Sequence, residues 1–311
     1  MAAGNDTPLV SVCMTTYNHE SYIARAIESV LEQQAAFGVE LVVGEDCSTD
    51  RTGEICREYA AKYPDRIRLV TSTGNVGMRA NYRRTFDACR GKYVAYLDGD
   101  DWWSDPQKLQ LQADLMEADP ECGMCCTAAV DFYQATDERK PYPPERYTDF
   151  DRLLLRTTIA NCTTLARRKL IAAYYAEVRP AEHPEWQTDD WPMWLWFAAN
   201  SRIRFIDRPT AVHRRLPDSV SHTPSHVKRI AFRDSLMGIS LWFDARYGGG
   251  RNRFRILRER SGVALWVLSW EGTVGEYVAR WWRDVCACPR LLLCPEGLGL
   301  LVKKILFRRK K

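Results

Sequence analysis

The stretch KYVAYLDGDDWW, residues 92–103, holds an apolar run followed by three carboxylates within four positions. Residues 93–97 are aromatic and β-branched, which is the pattern of a short buried strand. Asp98, Asp100 and Asp101 follow at its end. Like charges this close raise one another's pKa and are best accommodated around a hard cation such as Mg²⁺ or Mn²⁺. The alternative is an acidic turn before the helix that SDPQKL would begin.

The chain before this stretch alternates strand and helix patterns. Strand patterns occupy residues 9–14, 39–43 and 67–70, and helical patterns occupy residues 22–31, 52–63 and 78–89. This alternation predicts an α/β fold, with a mostly parallel, Rossmann-like sheet and helices on both faces. Ligands of such sheets bind at the carboxyl ends of the strands. Polar candidates follow three of these ends, namely Thr15, Tyr17, Asp46, Asp98 and Asp100.

The composition is that of an ordinary globular protein, with 46% hydrophobic and 27% charged residues among 311. Its eleven cysteines are an odd number, and adjacent Cys125 and Cys126 favour reduced, buried strand thiols over a disulfide framework. CGMCC offers one C-x-x-C pair without a second pair at zinc-finger spacing, so core residues are the preferred interpretation. The first ten residues lack the pattern of a secretory signal, and we expect a cytoplasmic protein.

The turn after the first strand narrows the class of ligand. MTTYNHES contains no glycine, so it is not the G-x-G-x-x-G turn of a dinucleotide fold, and no P-loop is found either. Bound phosphates would therefore need a metal at the acidic strand end. This is the chemistry of a nucleotide-sugar site, where a divalent cation stabilises the diphosphate as a leaving group.

Three segments in this order resemble the opening of family 2 glycosyltransferases with the GT-A fold: PLVSVCMTTYNHESYIARAIESVLEQ, VVGEDCSTDRTGEI and GKYVAYLDGDDWWSDPQKLQLQ. Further on, QTDDWPMWLWFAANSRIRFID and VHRRLPDSVS resemble later family motifs. The resemblance implies a metal-dependent, inverting transferase. It would move a sugar from a nucleotide-sugar, preferably a UDP-sugar, to an acceptor hydroxyl in bacterial polysaccharide or glycolipid synthesis.

The resemblance also implies roles for the residues at the strand ends. Thr15 and Tyr17 would contact the nucleotide base, the tyrosine by stacking, and Asp46 would accept a hydrogen bond from the base. Asp98 would reach the ribose or the metal, and Asp100 would bind the metal. Two alternatives stay open: Tyr17 as a core residue, and Asp46 as a cap of the helix that follows it.

Two segments depart from the family pattern. The three arginines of GMRANYRRTF are shifted relative to the family's Ala-Arg-Asn run. Arg79 is the preferred contact to the diphosphate, because arginine suits phosphate oxygens, and a solvated arginine on a helix face is the alternative. Leu216 stands where relatives often carry a metal-binding histidine. His213 and His222 are displaced from that position, which argues against a histidine ligand.

The transfer needs a group that removes the acceptor's proton. TDD, residues 188–190, opens a helical pattern and resembles the family's base motif. The resemblance implies that Asp190 is the catalytic base and that Asp189 lies near the acceptor. The alternative is a pair of carboxylates that the dipole favours at a helix N-terminus.

The C-terminal part differs in charge from the rest of the chain. The net charge of +4 divides into 14 basic and 5 acidic residues from Arg251 onward, and 30 and 35 before it. Trp266 and Trp270 lie one helical turn apart in this segment. We expect a glycosyltransferase domain over residues 1–245, with a nucleotide-sugar half (1–130) and an acceptor half (131–245), and a helical extension over residues 251–311.

The extension is too interrupted to span a bilayer but suits an anionic membrane surface. The alternative is a helical subdomain packed on the catalytic core. Nucleic acid is not an expected partner. Two other functions remain open from the residues alone. A nucleotidyltransferase shares this kind of fold and metal site, and a non-catalytic protein could bind sugar nucleotides without turnover.

Overall fold

The computed structural model describes residues 7–142, 148–216, 225–294 and 299–300. They form two compact units. The sheet unit takes the described parts of residues 1–148, 158–181 and 200–216. The helical unit takes those of residues 149–157, 182–199 and 217–311. The division at residues 245–251 stays a prediction, and His222 and residues 301–311 of the basic segment lie outside the described residues.

Nine strands form the sheet within the described residues. In chain order they are β1 (Val10–Thr16), β2 (Val39–Glu45), β3 (Ile67–Val70), β4 (Tyr93–Asp98), β5 (Trp102–Trp103), β6 (Cys122–Tyr133), β7 (Glu138–Pro141), β8 (Thr164–Arg167) and β9 (Arg202–Arg215). The helices of this unit are α1 (Ile23–Leu31), α2 (Thr52–Lys62), α3 (Met78–Ala88), α4 (Lys108–Ala118) and α6 (Arg168–Val178).

The strands are ordered β3-β2-β1-β4-β8-β6-β9-β5, and β7 pairs with β6 off this path. The pairs among β3, β2, β1 and β4 are parallel, as is the pair of β6 with β9. The predicted α/β fold with a mostly parallel sheet is therefore confirmed. The sequence patterns did not predict β9, and of β6 they predicted only that Cys125 and Cys126 lie in a strand. They also did not predict β5, β7 and β8, whose pairings are antiparallel.

The direction of the strand order reverses at β1. The chain moves from β1 to β2 and β3 on one side and then returns to place β4 on the other side. Because parallel crossovers are right-handed, α3 lies on the sheet face opposite α1 and α2. The carboxyl ends of β1 and β4 then flank the point where such sheets bind ligands.

Close packing of α3 on β2 holds this arrangement in place. Asn81 Nδ2 donates a hydrogen bond of 2.8 Å to the carbonyl oxygen of Gly44. A Cβ atom at position 44 would overlap Thr85 Oγ1 and lie 2.8 Å from Asn81 Oδ1. Glycine at this position therefore lets the helix approach the strand end closely.

The helical unit contains α5 (Phe150–Leu153), α7 (Asp190–Asn200), α8 (His226–Tyr247), α9 (Arg253–Trp270) and α10 (Val274–Ala287). The glycine-rich segment between α8 and α9 forms a turn that hydrogen bonds to Asp244 hold in place. The Asp244 carbonyl oxygen accepts bonds of 2.9 Å from the amides of Gly248 and Gly250, and the Asp244 carboxylate accepts the Asn252 amide. None of the described helices is long and apolar enough to cross a bilayer.

Candidate functional site

Asp98 is the centre of a hydrogen-bond network at the carboxyl ends of β1 and β4. Thr15 is its register partner on β1 and donates a bond of 3.1 Å to Asp98 Oδ1. Tyr82 of α3 donates to the same oxygen. Asn161, which lies just before β8, donates to Oδ2 at 2.9 Å. The carboxylate is thereby held in one orientation by three separate elements.

The sequence did not predict roles for Tyr82 and Asn161. Tyr82 lies in GMRANYRRTF, where an arginine was the predicted contact, and Asn161 belongs to no local motif. Burial, together with the negative charge of Asp98, raises the pKa of Tyr82 well above its usual value. The tyrosine therefore stays a hydrogen-bond donor. Asn161 also donates to the Tyr82 hydroxyl at 2.8 Å, which connects the network.

Gly99 lets the turn after β4 fold back against the end of β1. A Cβ atom there would lie 2.6 Å from Thr16 Oγ1 and 2.9 Å from His19 Nδ1. This approach explains why a glycine separates the carboxylates of Asp98 and Asp100.

The two following carboxylates lie in an environment that disfavours their charge. Burial and the charge of Asp98 raise the pKa of Asp100, although His19 opposes the shift. Burial and the neighbouring charges of Asp100 and Asp98 raise the pKa of Asp101 to about 7. Within the described residues no side chain hydrogen-bonds or ion-pairs with the Asp100 carboxylate. A positive charge at Asp100 would therefore be favourable.

Arg214 of β9 holds this acidic turn in place through hydrogen bonds. Its amide donates to Asp101 Oδ1 at 2.7 Å, and its Nε donates to the carbonyl oxygen of Asp100 at 2.7 Å. The guanidinium also lies 4.4 Å from the ring centroid of Tyr22 and 4.7 Å from that of Trp102. Arg214 thus holds the backbone of the turn and leaves the Asp100 carboxylate to other ligands.

Histidines lie beside the carboxylates but have protein partners. His213 Nδ1 is 2.9 Å from Asp131 Oδ1. Burial alone would lower the pKa of His213, but the charges of Asp101 and Asp131 raise it. Among the described residues no group of three histidine, cysteine, aspartate or glutamate side chains is arranged to hold a metal ion. Any cation at this edge would take ligands from outside the protein as well.

Asp46 is buried at the end of β2 and has local partners. Its two carboxylate oxygens accept the amides of Val76 and Gly77, each at 2.9 Å, just before α3 begins. The alternative was that Asp46 caps α2, the helix that directly follows it. These bonds do not cap α2, because Val76 and Gly77 precede α3. Its contact with a nucleotide base stays a prediction.

Tyr17 is 42% exposed beyond the end of β1, so it is not a core residue. The exposed ring leaves the predicted stacking role open. Arg79 Nη1 donates to the carbonyl oxygen of Pro180 at 2.9 Å. Arg84 instead turns toward the end of β2 and donates to the Glu45 carbonyl oxygen at 2.7 Å. The predicted contact of Arg79 with a diphosphate stays a prediction.

The predicted base lies in the helical unit, at the first residue of α7. Asp190 Oδ1 accepts hydrogen bonds from the Thr188 hydroxyl and, at 2.7 Å, from the Trp191 amide. Asp189 precedes the helix and is half-buried. Both carboxylates are thus near the positive end of the helix dipole, which favours their ionised form.

Comparison with known proteins identifies the family. The sequence model of the family described as Glycosyl transferase family 2 matches residues 11–174, which is more than half of the chain. The chain belongs to glycosyltransferase family 2. An uncharacterized protein of Mycobacterium tuberculosis, Rv1520, is 30% identical over 83% of this chain and 74% of its own length. The family match favours a glycosyltransferase over a nucleotidyltransferase.

Proteins similar to this family 2 glycosyltransferase include one relative with a named pathway and two solved structures. The putative teichuronic acid biosynthesis glycosyltransferase TuaG of Bacillus subtilis is 33% identical over 52% of this chain and 62% of its own length. Residues 1–349 of S. aureus TarS match with a TM-score of 0.65 and 16% identity, covering 97% of this chain and 92% of that one. The mannosyltransferase PcManGT of Pyrobaculum calidifontis, solved with GDP-Man and Mn²⁺, matches with a TM-score of 0.56 and 17% identity, covering 96% and 86%. These likenesses confirm the predicted GT-A fold.

The raised pKa of Asp101 predicts a pH-dependent cost in stability. An unfolded aspartate ionises near pH 3.9, whereas folded Asp101 does so at about 7. The folded state binds the extra proton between these values, so the free energy of unfolding falls as the pH rises through this range. Asp101→Asn keeps an acceptor for the Arg214 amide and removes the charge.

We expect Asp101→Asn to raise Tm at pH 8 by about 2–4 °C, which corresponds to ~1 kcal/mol or more, and to raise it less at pH 5. Thermal unfolding in EDTA measures both values, since a bound cation would offset the charge. Asp65→Asn, at an exposed aspartate, is the control and should change neither value. An equal gain at both pH values would contradict the burial of an ionisable Asp101.

Proposed function

We propose that this glycosyltransferase moves a sugar from a nucleotide-sugar to an acceptor hydroxyl with inversion at the anomeric carbon. The observation that carries the proposal is the oriented Asp98 carboxylate beside Asp100, at the point where the strand order reverses. Family membership supports the reaction class. Metal dependence, the donor, the stereochemistry and the pathway belong to the proposal.

Asp98 and Asp100 are the proposed ligands of Mg²⁺ or Mn²⁺. Their carboxylates are the oxygen ligands that these cations prefer, and Asp100 has a raised pKa without a cationic side chain bonded to it. Two protein carboxylates suffice where the remaining ligands are phosphate oxygens and water. When bound, the cation neutralises the diphosphate and stabilises it as the leaving group. Arg79 is the proposed second positive charge at the diphosphate.

The proposed donor is a UDP-sugar. TarS has been solved with UDP and with UDP-GlcNAc, whereas PcManGT has been solved with GDP-Man, so relatives of this fold bind more than one nucleotide. In this chain Thr15 and the exposed ring of Tyr17 would contact the base, and Asp46 would accept a hydrogen bond from it. Because Asp46 already accepts two backbone amides, we assign it to holding the base-binding loop as well.

Asp190 is the proposed general base. The acceptor oxygen forms a bond to the anomeric carbon while the bond from that carbon to the diphosphate breaks, and the hydroxyl proton passes to Asp190. Attack opposite the leaving group inverts the anomeric carbon. Asp189 is proposed to orient the acceptor. The pathway in the name of TuaG, teichuronic acid biosynthesis, supports a saccharide or lipid-linked acceptor in polysaccharide synthesis.

Asp100→Ala tests the metal assignment. We expect the variant to lose Mn²⁺-dependent affinity for the UDP-sugar and to lose turnover, because one of the two proposed metal ligands is gone. Calorimetric titration with and without EDTA measures this, and Asp114→Ala, at an exposed aspartate of α4, is the control. Donor affinity that is the same in EDTA and in Mn²⁺ would contradict a metal-dependent site.

Asp190→Asn tests the base and separates an enzyme from a non-catalytic binding protein. We expect donor affinity to persist while transfer falls by roughly 10²–10⁴-fold, as for the loss of a general base. Asparagine keeps an oxygen acceptor for the Trp191 amide, so the start of α7 is preserved. Measured transfer near the wild-type rate would move the base to another residue, with Asp189 the first to test.

Surface contact with an anionic membrane is the proposed role of the helical unit. Val263, Trp266 and Trp270 share one face of α9 and are exposed, Trp270 by 74%. Exposed Arg255 lies on the same face, although Glu259 does too. Tryptophan beside basic residues is favoured at the membrane interface. The net positive charge after residue 250 supports the same partner.

The double substitution of Trp266 and Trp270 by glutamine should weaken flotation with phosphatidylglycerol vesicles about tenfold or more, because interfacial burial of both rings is lost. The control is Val227→Gln, which changes an apolar residue of α8 that is 59% exposed. Equal flotation of the double variant and the wild type would contradict membrane contact through α9. Point substitutions are a better test than removal of the segment after residue 250, because Asp244 of α8 is hydrogen-bonded to Asn252, directly before α9.

A further inference from the structure

Arg260 of α9 is a buried guanidinium without an acceptor. Its side chain belongs to a residue that is 5% exposed, and its Nε and Nη2 atoms are buried with no hydrogen-bond partner. Among the residues that the structure describes, no carboxylate forms an ion pair with it. Buried charges are normally paired, because removing an isolated charge from water costs several kcal/mol. The position therefore calls for an anion.

Arg280, the other buried arginine of the helical unit among the described residues, differs from Arg260 because carboxylates lie within ion-pair distance of it. Arg280 pairs with Asp284 at 2.8 Å and with Asp234 at 2.6 Å. Asp284 and Asp234 are thus committed to Arg280, and Asp234 also pairs with Arg283. Arg260 has been left without such a partner in the same unit.

The surroundings of Arg260 add positive charge. Burial, followed by the charge of Arg233, lowers the pKa of Arg260 to about 9. The pKa of Arg233 is lowered by burial and by the charge of Arg156. Within the described ranges, the acidic residue that acts on Arg260 is its exposed neighbour Glu259. Positive charge from α8 thus acts on Arg260 of α9, and positive charge from the segment after α5 acts in turn on Arg233.

Trp191 shows that Arg260 lies near the start of α7. The Arg260 guanidinium lies 4.4 Å from the centroid of the Trp191 ring, and the indole Nε1 donates to the Leu153 carbonyl oxygen at 2.9 Å. The ring attracts a cation but offers it no hydrogen-bond acceptor. Trp191 directly follows Asp190, the proposed base, so Arg260 belongs to the same end of α7.

We propose that Arg260, supported by Arg233 and Arg156, binds a phosphoryl group of the acceptor. This inference rests on the proposed function, because it takes the end of α7 as the acceptor side. Arginine matches phosphate oxygens with its planar fork of donors, and such charge-assisted bonds are among the strongest in proteins. The acceptor class is then a phosphate- or diphosphate-bearing molecule, and the phosphoryl group neutralises the buried guanidinium when it binds.

The test uses inorganic pyrophosphate as the probe and the full chain in EDTA. Asp100→Ala is the background, so that the donor site does not contribute. We expect pyrophosphate to raise Tm by about 2–4 °C at saturating concentration, because it binds the folded state. Arg260→Met should abolish this rise. It should also raise Tm without pyrophosphate, since an unpaired buried charge is replaced by an apolar side chain of similar length.

Arg255→Met, at an exposed arginine of the same helix, is the matched control and should keep the response to pyrophosphate. An equal response of Arg260→Met and its background would overturn the proposal. If Arg260→Met does not fold, Arg233→Gln must reduce the response, and an unchanged response there overturns the proposal as well. Metal-dependent donor affinity of the wild-type chain reports on the proposed function separately.

A second arm distinguishes the source of the phosphoryl group. Phosphatidylglycerol vesicles present it as a lipid headgroup, whereas pyrophosphate presents it free. Protection from heat by pyrophosphate that depends on Arg260 indicates a phosphoryl group carried by the acceptor itself. Protection by vesicles alone, with the same dependence on Arg260, identifies the site as one for a lipid headgroup and overturns its assignment to the acceptor.

Discussion

Three carboxylates within four positions at the end of β4 are the constraint on which the sheet unit depends. Asp98, Asp100 and Asp101 are half-buried or buried and repel one another, and their hydrogen-bond partners differ. Asp98 is held by neutral donors, Asp101 accepts a backbone amide, and Asp100 has neither. The protein thus fixes the positions of two carboxylates and leaves the charge of the third to be neutralised from outside. Under the proposed function, a divalent cation bound together with a diphosphate would meet that requirement.

The two units carry opposite forms of the same imbalance. The sheet unit holds the half-buried Asp100 carboxylate without a cationic side chain bonded to it, whereas the helical unit holds buried Arg260 without an anion. Neither imbalance is a defect of folding, because the nearby charges that could have been paired are paired. Arg214 holds the acidic turn, and Arg280 is paired with two aspartates. Uncompensated buried charge of this kind is characteristic of sites that complete themselves with a ligand.

Much of the first half of the sheet unit could be predicted. The strand and helix patterns before Asp98 differ from the observed elements by no more than two residues at either end, and Ile67–Val70 agrees at both. Parallel strands buried on both faces produce continuous apolar runs, which are read easily from a sequence. The short antiparallel strands β5, β7 and β8 were not predicted. Each is two to four residues long. The partners of β5 and β8 lie far along the chain, whereas β7 pairs with the strand directly before it, β6.

The candidate site likewise has a part that the sequence predicted and a part that only the tertiary structure shows. The sequence by itself determined the acidic strand end, because apolar runs that stop at clustered carboxylates reflect local chemistry. The partners of those carboxylates were decided by the tertiary structure. Asn161 reaches Asp98 because β8 pairs with β4, and Arg214 reaches the acidic turn because β9 pairs with β5. Arg260 is one of many arginines in the sequence, and only the packing of α9 against Trp191 shows that it is buried without an acceptor. Local patterns determine where charge is placed along the chain, but only the folded chain determines which charges meet.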